Sequence, residues 1–200
     1  MRVALTGGVG CGVSEAARFL AENGIPVIHA DHIGHEVLES APVKRALLEQ
    51  FGSEIFTADG EVNRERLGAI IFADDEQRRQ LNRIVHPPLL DIITDRVRET
   101  ERQSGVVVVD AALIFEWGLQ GFFHFIIVIE APLELRIERA MKRSLLNRQE
   151  VMQRMAAQFP LEEKRKAAHY LVRNDASIED LRQRIAEVWE KIMRTSESTL

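Results

Sequence analysis

The chain is poor in everything that would place it outside the cell or across a membrane. Its 200 residues hold one cysteine, Cys11, so an internal disulfide framework is excluded and a reducing compartment fits. No apolar run approaches the ~20 residues of a membrane span. The N-terminus enters an apolar strand at once, without the charged and apolar regions of a signal peptide. Internal repeats and low-complexity segments are absent. Net positive charge is absent too: the formal charge is −5, which argues against a bulk polyanion binder, so any nucleotide site must be a local basic island. These absences lead us to expect a cytoplasmic protein with neither a membrane nor a nucleic-acid partner, and they leave the oligomeric state open. The apolar fraction of 46% is ordinary for a chain with a core. The length favours one domain, with room for a small inserted portion or a lid.

What is present begins at residue 6. Thr6-Gly7-Gly8-Val9-Gly10-Cys11-Gly12-Val13-Ser14 follows the apolar run Val3-Ala4-Leu5 and precedes a helical pattern. A phosphate-binding loop calls for Gly, four residues, Gly, then Lys and Ser or Thr. Gly7, Gly12 and Ser14 satisfy that spacing, but Val13 stands where the lysine belongs. The loop works through backbone N–H groups gathered at a helix N-terminus, where the helix dipole favours an anion. Gly8, Val9, Gly10, Cys11, Gly12, Val13 and Ser14 can all take part without a lysine. The Ser14 hydroxyl can reach a Mg²⁺ bridging two phosphates. The bland reading is a glycine-rich turn with no ligand. Losing one preorganised charge-stabilising donor often costs ~10²–10³ in rate, so either another cation reaches the site or the chemistry is weak or absent.

The rest of the chain reads as alternating strands and helices. Arg2–Leu5 is a strand, Ser14–Asn23 a helix and Pro26–His29 a second strand, which makes a βαβ unit and a parallel sheet. Helical patterns follow at Asp31–Glu39, Val43–Phe51, Arg64–Phe72, Asp75–Val85 and Leu89–Gln103, with a turn at Asp59-Gly60. Some 70 residues of mostly helical chain exceed a plain crossover and suggest a substrate-binding portion. Val106–Asp110 has the continuous β-branched character of a central strand. Phe123–Ile129 and His169–Val172 are further strands, and Leu133–Lys142 and Arg148–Gln158 are helices. Ser177-Ile178-Glu179-Asp180 opens a last helix to about Met193, and the tail after Arg194 is expected to fray.

Several side chains offer chemistry. Asp31, at the carboxyl end of the second strand, suits a base for an attacking hydroxyl, and equally a helix N-cap. Asp110, ending the valine strand, suits a Walker-B-like role toward Ser14 or a magnesium water, or a strand-end cap. Glu116 is a second acid near the site, undecided from composition. His29, Asp31, His32, His35 and Glu36 invite a metal reading, but their spacing matches no zinc signature. Arg139, Lys142, Arg143, Arg148 and Arg154 lie at a turn between two helices, where a lid over phosphates would sit. Arg143 and Arg148 are the candidates to supply the charge that Val13 lacks. Cys11 reads as a space-filler, with some sensitivity to oxidation because a helix N-terminus favours its thiolate.

In order and spacing these fragments resemble the dephospho-coenzyme A kinases, over nearly the full chain. The family's T-G-G-[IV]-G-S-G-K-S is residues 6–14. Its D-A-D is His29-Ala30-Asp31, and its D-G-x-[LI]-[DN]-R-x-x-L is Asp59–Leu67. Its L-x-x-I-x-H-P is Leu81–Pro87, its P-L-L-F-E-x-G-L is Ala112–Leu119, and its two late pairs are Arg139/Arg143 and Arg154/Gln158. The resemblance implies an α/β fold, a P-loop NTPase of three layers around a parallel sheet. A single domain would comprise a core at about 1–30, 105–135 and 168–195, a helical portion for the coenzyme A moiety at about 31–104, and a lid at about 139–160. It implies transfer of the ATP γ-phosphate to the ribose 3′-hydroxyl of dephospho-CoA, with ATP and Mg²⁺ as cofactors. Asp31 would be the base, and Arg139, Arg143 and Arg148 would sit over the phosphates. Asn174 would lie near the adenine, and Arg64, His86 and Glu116 in acceptor binding. This chain departs from the pattern at Val13, at Glu15 where Ser or Thr is usual, at Ala112 for a proline, and at His169 for an Asp. The alternatives are a catalytically impaired nucleotide- or CoA-binding relative with a regulatory role, and a kinase for another nucleotide-like hydroxyl.

Overall fold

The computed structural model describes residues 1–144 and 146–197. Leu145, in the expected lid, and residues 198–200, in the tail expected to fray, lie outside the described residues. Two compact units emerge, one of residues 1–29 and 97–200, the other of residues 30–96.

The first unit holds the sheet. Its strands are β1 (Arg2–Gly7), β2 (Val27–His29), β3 (Val107–Asp110), β4 (Phe125–Glu130) and β5 (Tyr170–Arg173). They lie in the order β2-β3-β1-β4-β5, every neighbouring pair parallel. The expected parallel α/β fold is therefore present. Strands covered on both faces read as unbroken apolar runs, and Val3, Ala4, Leu5, Val107, Val108, Val109 and Ile126–Ile129 are all buried. Helices α1 (Val13–Glu22) and α9 (Ile178–Glu197) cover one face. Ala16, Ala17 and Leu20 of the first and Leu181, Ile185, Val188 and Ile192 of the second pack on Val3, Leu5, Val108, Ile127, Ile129 and Val172. The spacing of three and four along α9 is what an amphipathic helix needs to lay one stripe on a sheet. The Ser177 hydroxyl accepts from the Asp180 N–H at 3.1 Å, and the Asp180 carboxylate accepts from the Ser177 N–H at 3.1 Å. This is the expected capping box, with Asp in place of Glu. The helix continues to Glu197, so residues 195–197 are not the frayed tail that composition suggested.

Helices α6 (Leu133–Ser144), α7 (Arg148–Ala156) and α8 (Leu161–Lys166) complete the unit. The second of these opens on a full capping box between Asn147 and Glu150. The short α8 was not expected from the sequence, because its charged residues show no apolar period.

The second unit contains α2 (Ala30–Glu39), α3 (Ala41–Phe51), α4 (Arg64–Ala73) and most of α5 (Asp75–Ser104). Two expected helices are one: α5 runs through Pro87 and Pro88. Proline removes an N–H donor and usually ends or kinks a helix, which is why the sequence was divided there. Beyond the prolines, Leu89, Ile93 and Val97 recur every fourth residue, and all three are buried. Asp59-Gly60 is the expected turn, with Gly60 at φ 77° and Phe56 bridged to Val62.

Candidate functional site

β1 delivers residues 7–12 directly into α1. Gly10 and Gly12 take φ values of 77° and 95°, which side-chain-bearing residues rarely adopt. A Cβ on Gly10 would lie 2.2 Å from the Arg136 carbonyl oxygen, and one on Gly12 2.2 Å from Asn174 Nδ2. The glycines thus serve both conformation and close packing. The Cys11 N–H is bonded to the Gly8 carbonyl at 3.0 Å, and the Glu15 and Ala16 N–H groups turn back to Gly12. Among the described residues, no acceptor meets the N–H groups of Gly10, Gly12, Val13 or Ser14. These are the orphan donors of a helix start, a ready anion site. Ser14 lies exposed in the first turn of α1.

The loop is held from outside by four side chains. Arg136 Nε donates to the Val9 carbonyl at 3.0 Å. Gln158 Oε1 accepts from the Val9 N–H at 3.0 Å. Asn174, buried, donates from Nδ2 to the Cys11 carbonyl at 2.8 Å. Lys164, with no exposed surface, donates to the carbonyls of Ala112 at 2.6 Å and Gly7 at 3.4 Å. A cavity of about 240 Å³ opens beside Gly8, walled by Leu133, Arg136, Met152, Met155 and Phe159 among others.

The expected residues fall into place unevenly. Arg139 joins Asn174, donating to its carbonyl at 3.1 Å and its Oδ1 at 3.3 Å. Arg148 is instead exposed and paired with Glu134 through two bonds of 2.8 and 2.7 Å. Arg143 is exposed near the end of α6. Among the described residues neither Arg143 nor Arg148 bonds to the loop; Arg136 does, one helical turn before Arg139. Arg136 was missed, although its spacing of three and seven from Arg139 and Arg143 puts all three toward one side of α6. Lys164 and Gln158 were missed as site residues as well, and no local pattern marks them.

Asp110 and His29 end β3 and β2 side by side, with His29 Nδ1 3.0 Å from Asp110 Oδ2. Glu116 Oε1 accepts from the Phe159 N–H at 2.6 Å and lies 3.5 Å from Lys164 Nζ. Glu15, one of the departures from the family pattern, is engaged by Arg18 and Arg182. Burial works to raise its pKa, but the hydrogen bonds and charges of the two arginines outweigh it and hold the carboxyl below its ordinary range. Cys11 is fully buried. Burial pushes its thiol pKa up, ahead of the opposing charge of Arg136 and the hydrogen bond from Gly8. The expected thiolate character is corrected accordingly: desolvation outweighs the helix dipole.

The second unit gathers Asp31, His35 and Arg64. Asp31 lies within the first turn of α2, not at its cap as one reading had it, and is exposed. Arg64 is hydrogen-bonded to His35. Desolvation and the Arg64 charge lower the His35 pKa, while Asp31 works to raise it. Glu36 pairs with Arg96. His86 is half-buried in α5. Among the described residues no group of three His, Cys, Asp or Glu is arranged to hold a metal ion.

A family model described as dephospho-CoA kinase matches residues 1–180. The chain belongs to the dephospho-CoA kinase family. A dephospho-CoA kinase of Thermobifida fusca is 35% identical over 97% of each chain. One of Frankia casuarinae is 39% identical over 96% of this chain and 83% of its own. Among solved structures, the dephospho-CoA kinase of Campylobacter jejuni aligns with a TM-score of 0.73 at 25% identity over 98% of both chains. A protein of Thermus thermophilus aligns with a TM-score of 0.80 at 32% identity, over 96% of this chain and 97% of its own. A shikimate kinase of Acinetobacter baumannii shares the fold alone, with a TM-score of 0.54 at 18% identity over 97% of this chain and 93% of its own.

Proposed function

We propose that this member of the family transfers the γ-phosphoryl group of ATP to the ribose 3′-hydroxyl of dephospho-CoA, giving coenzyme A and ADP. The observation that carries the reading is the loop itself. In a chain of this family, the N–H groups of Gly10, Gly12, Val13 and Ser14 have no acceptor among the described residues. They converge at the start of a helix, where a phosphate would complete them. Residues 8–14 bind the nucleotide phosphates through these groups. Arg139 and Arg143 meet the charge that develops on the transferred group, and Arg148 joins them after leaving Glu134. Asp31 takes the proton of the attacking hydroxyl, and Arg64, His86 and Glu116 bind the acceptor. We assign residues 31–104 to the acceptor portion, residues 139–160 to the lid, and the cytoplasm as the compartment. No helix among the described residues is long and apolar enough to cross a membrane.

Magnesium fits the donors present. Mg²⁺ takes oxygen ligands, usually one or two carboxylates or hydroxyls together with substrate phosphates and water. The exposed Ser14 hydroxyl and the Asp110 carboxylate are such donors. When bound, the ion would neutralise phosphate charge.

The test is to incubate the pure protein with Mg-ATP and dephospho-CoA and to follow coenzyme A by mass. Wild type is expected to form product, and Asp31→Asn to lose ~10²–10⁴-fold in kcat, the usual contribution of a positioned base. Absence of wild-type product that Val13→Lys restores would reject the reading in favour of a lapsed enzyme.

A further inference from the structure

Lys164 is the one fully buried charged side chain among the described residues. Burying an ammonium is costly unless its protons find acceptors. Here three oxygens surround Nζ: Ala112 O at 2.6 Å, Gly7 O at 3.4 Å and Glu116 Oε1 at 3.5 Å. The Phe115 ring centroid lies 5.8 Å away. Two carbonyls accept hydrogen bonds from Nζ, and the Glu116 carboxylate adds an opposite charge at 3.5 Å, a setting that suits an ammonium, which is a donor only. Burial lowers the Lys164 pKa, while the Glu116 charge and hydrogen bond work the other way. An apolar side chain would fill this space with less cost, so the cation calls for a reason.

The reason lies in what it touches. Gly7 opens the phosphate loop, and its carbonyl belongs to the peptide whose N–H is that of Gly8. Ala112 and Glu116 follow β3. Glu116 Oε1 also holds the Phe159 N–H at 2.6 Å, just past α7. Its Oε2 is buried and, among the described residues, meets no hydrogen-bond partner. Lys164 therefore links the loop, the segment after β3 and the exit of the α6–α7 pair. It also places a positive charge beneath a loop whose own lysine is replaced by Val13.

We propose that Lys164 is a positioning residue for phosphoryl transfer, fixing the opening of the phosphate loop through the Gly7 carbonyl and orienting Glu116. The proposal deepens the kinase reading and rests on it. Lys164 does not touch the reacting atoms; it acts through the loop and through Glu116.

The test compares wild type, Lys164→Met, Glu116→Gln and the double variant. It reads kcat, both KM values, Mg-ATP affinity by calorimetry, and the melting midpoint. In Lys164→Met, kcat is expected to fall ~10²-fold, as for loss of a preorganised donor. Mg-ATP affinity should fall about tenfold, the equivalent of one charge-assisted hydrogen bond. The KM for dephospho-CoA should rise no more in Lys164→Met than in Glu116→Gln, because Lys164 reaches the acceptor only through Glu116. The loss of Mg-ATP affinity should be confined to the variants lacking Lys164, a split that a general loss of folded enzyme would not produce. The double variant should be no slower than Lys164→Met, because the two residues act as a unit. Additive losses, or unchanged kcat and ATP affinity, overturn the proposal. If Lys164→Met does not melt cooperatively, the double variant, in which no unpaired buried charge remains, is read for the same two losses. A wild type that makes no coenzyme A defeats the kinase reading, and Lys164 is then judged on Mg-ATP affinity alone.

Discussion

Residues 136–164 carry two sets of cations in opposite settings. Arg136 and Lys164 reach inward and end on backbone carbonyls of the loop and its neighbour. Lys142, Arg143 and Arg148 face outward, and the partners of Lys142 and Arg148 are the exposed carboxylates Glu138 and Glu134. An exposed ion pair contributes little and exchanges readily with water. A buried cation bonded to carbonyls is fixed, and removing either partner leaves the other unsatisfied. The lesson is a division of labour. The inner set fixes the loop itself, whereas the outer set is tied only by exchangeable surface pairs, and under the proposed function it is the set that turns onto phosphate.

Substitutions can break or sharpen that contrast. The largest effect on rate is expected from the outer set. Arg143→Ala should lower kcat ~10²–10³-fold, as for loss of a group stabilising developing charge, while leaving the thermal midpoint where it is. Stopped assays beside a melting curve check both halves, and a lowered midpoint would erase the distinction. Arg136→Ala, from the inner set, should lower kcat about 10²-fold and also destabilise the fold by ~1–3 kcal/mol, because the half-buried Val9 carbonyl loses its donor. Denaturant unfolding measures the second part. The smallest effect concerns Glu15. Its folded pKa lies below its ordinary 4.5, so its contribution is present above that value and is lost as pH falls through the depressed one. Glu15→Gln should lower stability slightly at neutral pH, where the ionised carboxylate contributes, and flatten the further loss below pH 4.5. An unchanged acid limb would show that Arg18 and Arg182 do not hold the charge.

The glycine spacing, the strand runs and the Ser177 box were legible because each is local. Backbone conformation at Gly10 and Gly12 and the capping of α9 are set within a few residues. So was the parallel sheet, since strand, helix and strand within about 30 residues permit little else. The misreadings share a different cause. Pro87-Pro88 carries a strong local signal that α5 overrides. Cys11 was judged by its neighbours in the chain, whereas its burial comes from the sheet and helix packing around it. Arg136, Gln158 and Lys164 reach the loop from 127, 149 and 157 residues away. Nothing near Lys164 in the sequence distinguishes it from Arg165 and Lys166, which pair with exposed acids on the same helix. What sets Lys164 apart is its contacts with Gly7, Ala112 and Glu116, all distant in the chain, and no single segment of sequence contains them.

The distances along the chain also have a temporal meaning. The glycine loop leaves the ribosome well before its partners Gln158, Lys164 and Asn174, which lie 149 to 163 residues further along the chain. Contacts of such separation form late because the intervening loop must first be closed. A nascent chain that has reached β4 owns all the glycines of a phosphate cradle and none of these three supports. The supported shape of the loop therefore waits on distant chain: a chain released before Asn174 would carry the motif without all of the side chains that hold it.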